Sequence, residues 1–202
     1  MAQFKKAEVR EALLDSAYKL FAKRGYARTS VKQIAAGAKV SEANLYVYFK
    51  SKLDIFFGVY EPWWRERIHQ LEGRLSAETD RRRKLELVLT TLWCHLPADD
   101  NGFSNNLMQA LSTIDKPETY RPTLLRWIEG RLEAMLADVL PAQRWALLRR
   151  GGLVHILMMA QDGFAMWHHV NPTSGCGNAT VAMFVSLLLG DPLAATEDSG
   201  DT

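Results

Sequence analysis

The chain has 202 residues, 48% of them hydrophobic and 24% charged, which leaves room for one large domain or two smaller ones and excludes a fibrous or wholly disordered protein. Its net charge of +2 hides an asymmetry: residues 1–53 carry eleven Lys and Arg against four Asp and Glu (Glu8, Glu11, Asp15, Glu42), or +7, and the remainder carries fourteen against nineteen, or −5. A basic head on an acidic body points the head at a polyanion, unless the charge belongs only to a solvated helical face. The longest apolar runs, Leu153 to Ala160 and Val181 to Leu189, are too short for membrane spans and read as buried helix. The first residues lead into a charged amphipathic helix without a secretory pattern, and Cys94 and Cys176 lack metal-ligand spacing. Together these predict a cytoplasmic protein with free thiols, no membrane contact and no disulfide scaffold.

Taken in chain order, Val9, Leu13, Ala17, Leu20 and Phe21 recur at helical spacing over residues 7–24, with Gly25 as a stop. Thr29 and Ser30 offer caps for a second helix from Val31 to Ala38, and Ser30 with Gln33 fits a capping box. A break at Lys39-Val40 precedes a short helix capped by Ser41 with Leu45 and Phe49 facing inward, and Ser51 caps the next. From Lys52 a long helix is predicted to reach about Ser76, kinked at Pro62, which lacks an amide donor. Further helices are predicted over 81–96, 103–113, 122–140, 142–170 and 177–189. Pro122 and Pro141 suit first turns, and Pro97 and Pro172 suit positions past a helix end. No segment alternates with period two between turn signals, so the fold class is all-α. The expected division is a helix-turn-helix head over 1–53, a larger helical body over 54–190 and an acidic flexible tail over 191–202, with Asp191, Glu197, Asp198 and Asp201.

A helix, a short turn and a second helix with a free outer face make a unit that can enter the major groove of duplex DNA. Over Val31 to Tyr48, the residues Ile34, Ala35, Ala38, Val40 and Leu45 pack inward, leaving Ser41, Glu42, Ala43, Asn44 and Val47 outward. Asn44 can pair with an adenine edge, Glu42 can accept from a cytosine amine, and Ala43 or Val47 can touch a thymine methyl.

With Leu20-Phe21, Gly25-Tyr26, Thr29-Ser30-Val31, Ile34-Ala35, Val40-Ser41, Leu45-Tyr46, Tyr48-Phe49 and Ser51-Lys52 in order, the first 54 or so residues resemble the TetR (tetracycline repressor) family. The resemblance implies a helix-turn-helix head, a helical ligand-binding body, homodimerisation through the two C-terminal helices, and repression until an inducer binds. It also implies that Thr29 or Ser30 meets a phosphate at the start of the second helix, that Tyr46 and Tyr48 contact the backbone or line the groove, and that Lys52 contacts a phosphate. Tyr46 and Tyr48 can also be read as partly buried aromatics of a three-helix bundle, and Lys52 as a surface lysine, although a cation at a helix N-terminus opposes the macrodipole and an external anion would explain it better. Two positions depart from the family: Lys39 stands where Gly is usual, implying a strained positive φ or a different turn, and Ala43 replaces a frequent Gly.

All six Trp lie in the body. Trp63, Trp64, Trp93, Trp127, Met108 and Met159 are candidate walls for an apolar or aromatic effector, each singly better explained as core, so that the pocket reading rests on their clustering. His155 and Asp162, polar groups in apolar stretches, either orient a ligand, satisfy one another or lie exposed at a dimer interface. His168-His169 reads as a helix-end pair and not as a metal site. The last two helices are apolar on more than one face and call for a second buried surface, which a two-fold dimer supplies and a deep monomer core would also supply. An enzyme would need a triad, a metal cluster, a P-loop or a glycine-rich nucleotide motif, and none is present; no cofactor is implied. The expectation is a dimeric repressor released from a palindromic operator by a small, largely apolar or aromatic ligand. The alternatives are an activator or a regulator without a small ligand, with a helical enzyme or interaction module ranked lower.

Overall fold

Leu13, Ala17 and Phe21 repeat every four residues and turn one side of α1 (Ala2–Arg24) inward, each nearly inaccessible to solvent. The computed structural model describes residues 2–113, 122–172 and 176–191, with side chains from Lys6 onward. Gly25, at φ +78°, ends α1 in the left-handed region that glycine adopts without strain. α2 (Val31–Gly37) and α3 (Glu42–Leu45) then pack beside it through Ile34, Ala35 and Leu45. The Ser16 hydroxyl donates to the Ile34 carbonyl at 2.9 Å, and a side chain at Gly37 would collide with that same hydroxyl, so glycine sets how closely α2 approaches α1.

α4 (Lys52–Ala77) carries a buried stripe of Ile55, Phe56, Tyr60, Trp64, Ile68, Leu71 and Leu75, spaced by three or four residues. The helix continues through Pro62. Its first two turns pack on α1, and the remainder joins α5 (Arg81–Thr90) and α8 (Thr123–Val139). Phe21, Tyr26, Phe56, Tyr60 and Phe103 form a continuous ring cluster with centroid separations of 5.2–6.4 Å. One core therefore runs from head to body, each of these large side chains contributing roughly 1.5–3 kcal/mol by burial.

The helix expected over 81–96 is interrupted: α5 passes into a π-helical turn at Thr91–His95 and then α6 (Leu96–Asp99). Pro97 stands in α6, directly after the π-helical turn, and not beyond a helix end. α7 (Phe103–Ser112) follows. The single helix expected over 142–170 is two, α9 (Ala142–Arg150) and α10 (Leu153–Val170), because Gly152 turns the chain at φ +73°. α10 packs on α6, the π-helical turn, α7 and α8, and α11 (Asn178–Leu189) on α5. Among the described residues every regular element is helical, as expected, and no helix is long and apolar enough to cross a membrane. Residues 192–202, most of the expected acidic tail, lie outside the described residues.

Candidate nucleic-acid interface and body cavity

The turn between α2 and α3 is fixed by local hydrogen bonding. Ser30 accepts from the Gln33 amide at 3.2 Å while its own amide donates to Gln33 Oε1 at 2.9 Å, the reciprocal capping box expected from the sequence. α2 closes with the amides of Ala38 and Val40 donating to the carbonyls of Ile34 and Ala35. Lys39 between them sits at φ +58°, so the position where the resemblance called for glycine does adopt the left-handed conformation, at a strain of about 1 kcal/mol for a residue with a side chain. Ser41 caps α3 through the Asn44 amide at 3.1 Å, and Ser51 caps α4 through the Asp54 amide at 3.1 Å. α3 is shorter than expected, tightening after Leu45 into a turn in which Tyr48 N–H donates to the Leu45 carbonyl at 2.9 Å.

Ser41, Glu42, Ala43, Asn44, Tyr46 and Val47 are all exposed, Tyr46 to 51% and Val47 to 63%, while Leu45 and Phe49 hold the inner side. The two tyrosines therefore differ: Tyr46 projects outward, and Tyr48 is partly buried against the core. Thr29 and Ser30 differ as well. Ser30 is exposed, but Thr29 is only 1% exposed and its hydroxyl donates to the carbonyls of Gly25 at 2.8 Å and Leu20 at 3.3 Å, which turns it away from any phosphate.

Lys52 departs most from its expected role. Its ammonium donates to the carbonyls of Tyr26 at 2.9 Å and Thr29 at 3.1 Å and lies 4.0 Å from the centre of the Tyr26 ring. Burial lowers its pKa. Two backbone carbonyls and an aromatic face compensate this cation within the chain, and the lysine pins the loop leading into α2.

In the body, α4 (Phe57, Trp64), α7 (Met108, Leu111), α8 (Leu125, Ile128) and α10 (Met159, Asp162) surround an apolar cavity of about 190 Å³. Of the seven candidate ligand residues only Trp64, Met108 and Met159 line it. Trp63 packs on Tyr60, Trp64 and Phe103. Trp93 lies in the core against Phe164 and Phe184, its indole N–H donating to the Leu157 carbonyl at 3.2 Å. Trp127 stacks under the Arg65 guanidinium at 4.3 Å, and His155 is exposed with its Nδ1 3.3 Å from Glu129 Oε1. The wall residues that composition alone did not single out include Phe57, Tyr60, Leu107, Leu111, Leu124, Leu125 and Ile128.

Asp162 is the one ionisable carboxylate among the described lining residues. It makes no hydrogen bond or ion pair with a described residue, and burial, reinforced by the negative charge of Asp100, pushes its pKa up to about 6. Asp100 is also raised to about 6 by burial, but it accepts from the Ser104 amide at 3.0 Å and from the Ser104 hydroxyl at 3.2 Å. A second, open and more polar cleft of about 640 Å³ lies at the junction of head and body, between Arg24, Asp100, Asn105, Gln109, His168 and His169. Cys94 and Cys176, both free thiols, meet in space: Cys94 Sγ–H donates to the Cys176 carbonyl at 3.1 Å, and burial raises both pKa values. No group of three or more potential metal ligands occurs among the described residues.

Residues 13–59 match the family described as bacterial regulatory proteins, tetR family. The chain is similar to the fatty acid metabolism regulator protein of Bacillus subtilis, 29% identical over 89 residues that make up 44% of this chain and 46% of that one. It is also similar to the HTH-type transcriptional activator FasR of Mycolicibacterium smegmatis, 29% identical over 96 residues, 48% of this chain and 44% of that one. The matched stretches thus span less than half of either relative. Among solved structures, the transcriptional regulator FadR from Bacillus subtilis in complex with stearoyl-CoA superposes over 89% of this chain and 95% of its own, with a TM-score of 0.58 at 18% identity. That likeness establishes the fold, an N-terminal helix-turn-helix on a helical body.

Proposed function

From the match of residues 13–59 to the tetR family of bacterial regulatory proteins we propose that this chain is a DNA-binding transcriptional regulator of that family, a dimeric repressor released from a palindromic operator by a small apolar or aromatic effector. The observation that carries the reading is the capped α2–turn–α3 unit, held against α1 with the whole outer side of α3 exposed. A short, exposed helix with Glu42, Ala43 and Asn44 at its start can enter a major groove, and the exposed Ser30 at the start of α2 is placed for a phosphate. A dimer would read two half-sites centred about 34–36 Å apart, or a multiple of that. The body cavity supplies a place for an effector, and α4 runs unbroken from the head to its wall. A second reading, an activator, is favoured by the relative named as one; a reporter gene behind the protein's own upstream region, with and without the protein, separates the two. The direct test is anisotropy of a labelled duplex from that region at moderate salt. Failure to retain it over an unrelated duplex would remove the regulator reading.

Within this reading Asn44 and Lys52 have separable effects. Asn44→Ala should relax preference at a single base position by about 1–3 kcal/mol, measured on a panel of single-position operator variants. Lys52→Ala should lower Tm and weaken binding to every duplex alike, because the Tyr26–Thr29 loop loses its pin. A lost phosphate contact would reduce the slope of log K against log salt by about 0.9, so an unchanged slope is the expected mark of an internal lysine. A reduced slope at unchanged Tm would return Lys52 to the DNA backbone.

A further inference from the structure

Taking the body cavity as the effector site, as the regulator reading does, we infer that its ligand is a small monocyclic aromatic amine whose ring fills the apolar space and whose ammonium meets Asp162. Size sets the first limit: an apolar cavity of about 150 Å³ accepts benzene, so the 190 Å³ here takes one ring with a short substituent. Leu111, Ile128 and Met159 offer such a ring apolar surface, and Phe57, Tyr60 and Trp64 offer it aromatic rings. Charge sets the second limit. An ionised carboxylate on an apolar wall has lost much of its hydration, and Asp162, unlike Asp100, has recovered none of it through a donor among the described residues. An ammonium brings both opposite charge and hydrogen-bond donors to that carboxylate. A fatty carboxylate or the phosphates of an acyl-CoA would instead add like charge beside Asp162 and Asp100 where the dielectric is low. The stearoyl-CoA of the structural neighbour is in this respect the wrong chemistry for this cavity.

The test uses the full chain at about pH 8, where amine and carboxylate are both charged. Calorimetry compares 2-phenylethylamine with its neutral counterpart 2-phenylethanol, its anionic counterpart 3-phenylpropionate, and octanoyl-CoA. The amine is expected to bind at least about tenfold more tightly than the other three, the difference a charge-assisted hydrogen bond supplies. Asp162→Asn should bring it level with the alcohol, and Asp162→Glu should keep the preference. Leu111→Trp, which fills the cavity, should abolish binding of the amine. Equal binding of amine and alcohol to the unaltered protein, or tighter binding of 3-phenylpropionate or octanoyl-CoA, overturns the inference even where a variant fails to fold. Duplex anisotropy on the same preparation keeps the two readings apart. Amine preference without DNA retention sustains the ligand class and removes the regulator, and DNA retention without amine preference does the reverse.

Discussion

Trp167→Glu is expected to leave a folded monomer that binds a duplex with two half-sites about a hundredfold more weakly than the unaltered protein. On α10, Ile156, Met159, Met166, Trp167 and Val170 fall on one side of the helix and are 48–71% exposed, while Leu153, Leu157 and Ala165 on the opposite side are buried. α11 repeats the pattern, with Met183 and Leu187 exposed at 44% and 42% against buried Val181, Val185 and Leu188. A monomeric protein seldom leaves so long an apolar stripe in water, and a second copy meeting it across a two-fold axis would cover both helices at once. A carboxylate at Trp167 would be buried unpaired in that contact, a cost that the exposed side chain does not incur in the monomer. The DNA effect follows from geometry: each half-site contact would be weak alone, and a dimer would make the second contact intramolecular. Light scattering should report half the mass and circular dichroism an unchanged helix content. Leu187→Glu on α11 should behave alike. A dimer of undiminished stability and DNA affinity in both variants would place the subunit contact elsewhere.

What was legible in the sequence is what depends on neighbours within about one helical turn. The Ser30–Gln33 box and the Ser41 and Ser51 caps are local bargains between a side chain and the next few amides, and these, like the stop at Gly25, could be read from order alone, whereas the resemblance left a positive φ at Lys39 open against a different turn. The internal partners of Lys52 are not legible in the sequence because they lie 26 and 23 residues away, invisible to any spacing argument. The break between α9 and α10 was missed because hydrophobic periodicity resumes immediately after Gly151-Gly152, and only the left-handed turn at Gly152 shows that two helices are present. The cavity residues were chosen by type, which finds large apolar side chains but not the side of a helix on which an internal space opens. His155 and Asp162, two helical turns apart on nearly the same face of α10, show the limit. One faces solvent beside Glu129 and the other faces the cavity, because different helices cover α10 along its length.

The remaining large effect concerns the route from cavity to DNA, which α7 opens as well as α4. One side of α7 presents Leu107, Met108 and Leu111 to the cavity. The other holds the head: Asn106 Oδ1 accepts from the Tyr26 amide, Asn106 Nδ2 donates to the Phe21 carbonyl at 3.3 Å, and Gln109 Oε1 accepts from the Ala27 amide at 3.0 Å. Tyr26 is in turn bound to Lys52, so a shift of α7 reaches both the loop before α2 and the start of α4. Asn106→Leu strands the buried Tyr26 amide, at about 1–3 kcal/mol, while the Phe21 carbonyl keeps the Gly25 amide at 2.9 Å, and Tm should fall by roughly 2–10 °C. Gln109→Ala, at a partly exposed position, should cost little stability. Because coupling is reciprocal, duplex DNA should weaken 2-phenylethylamine binding by the same factor that the amine weakens DNA binding. In Gln109→Ala both affinities should persist singly while that factor moves toward one. An unchanged factor in Gln109→Ala and Asn106→Leu would assign the coupling to α4 alone, where Trp64 lines the cavity and Phe56 packs on Phe21 and Tyr26.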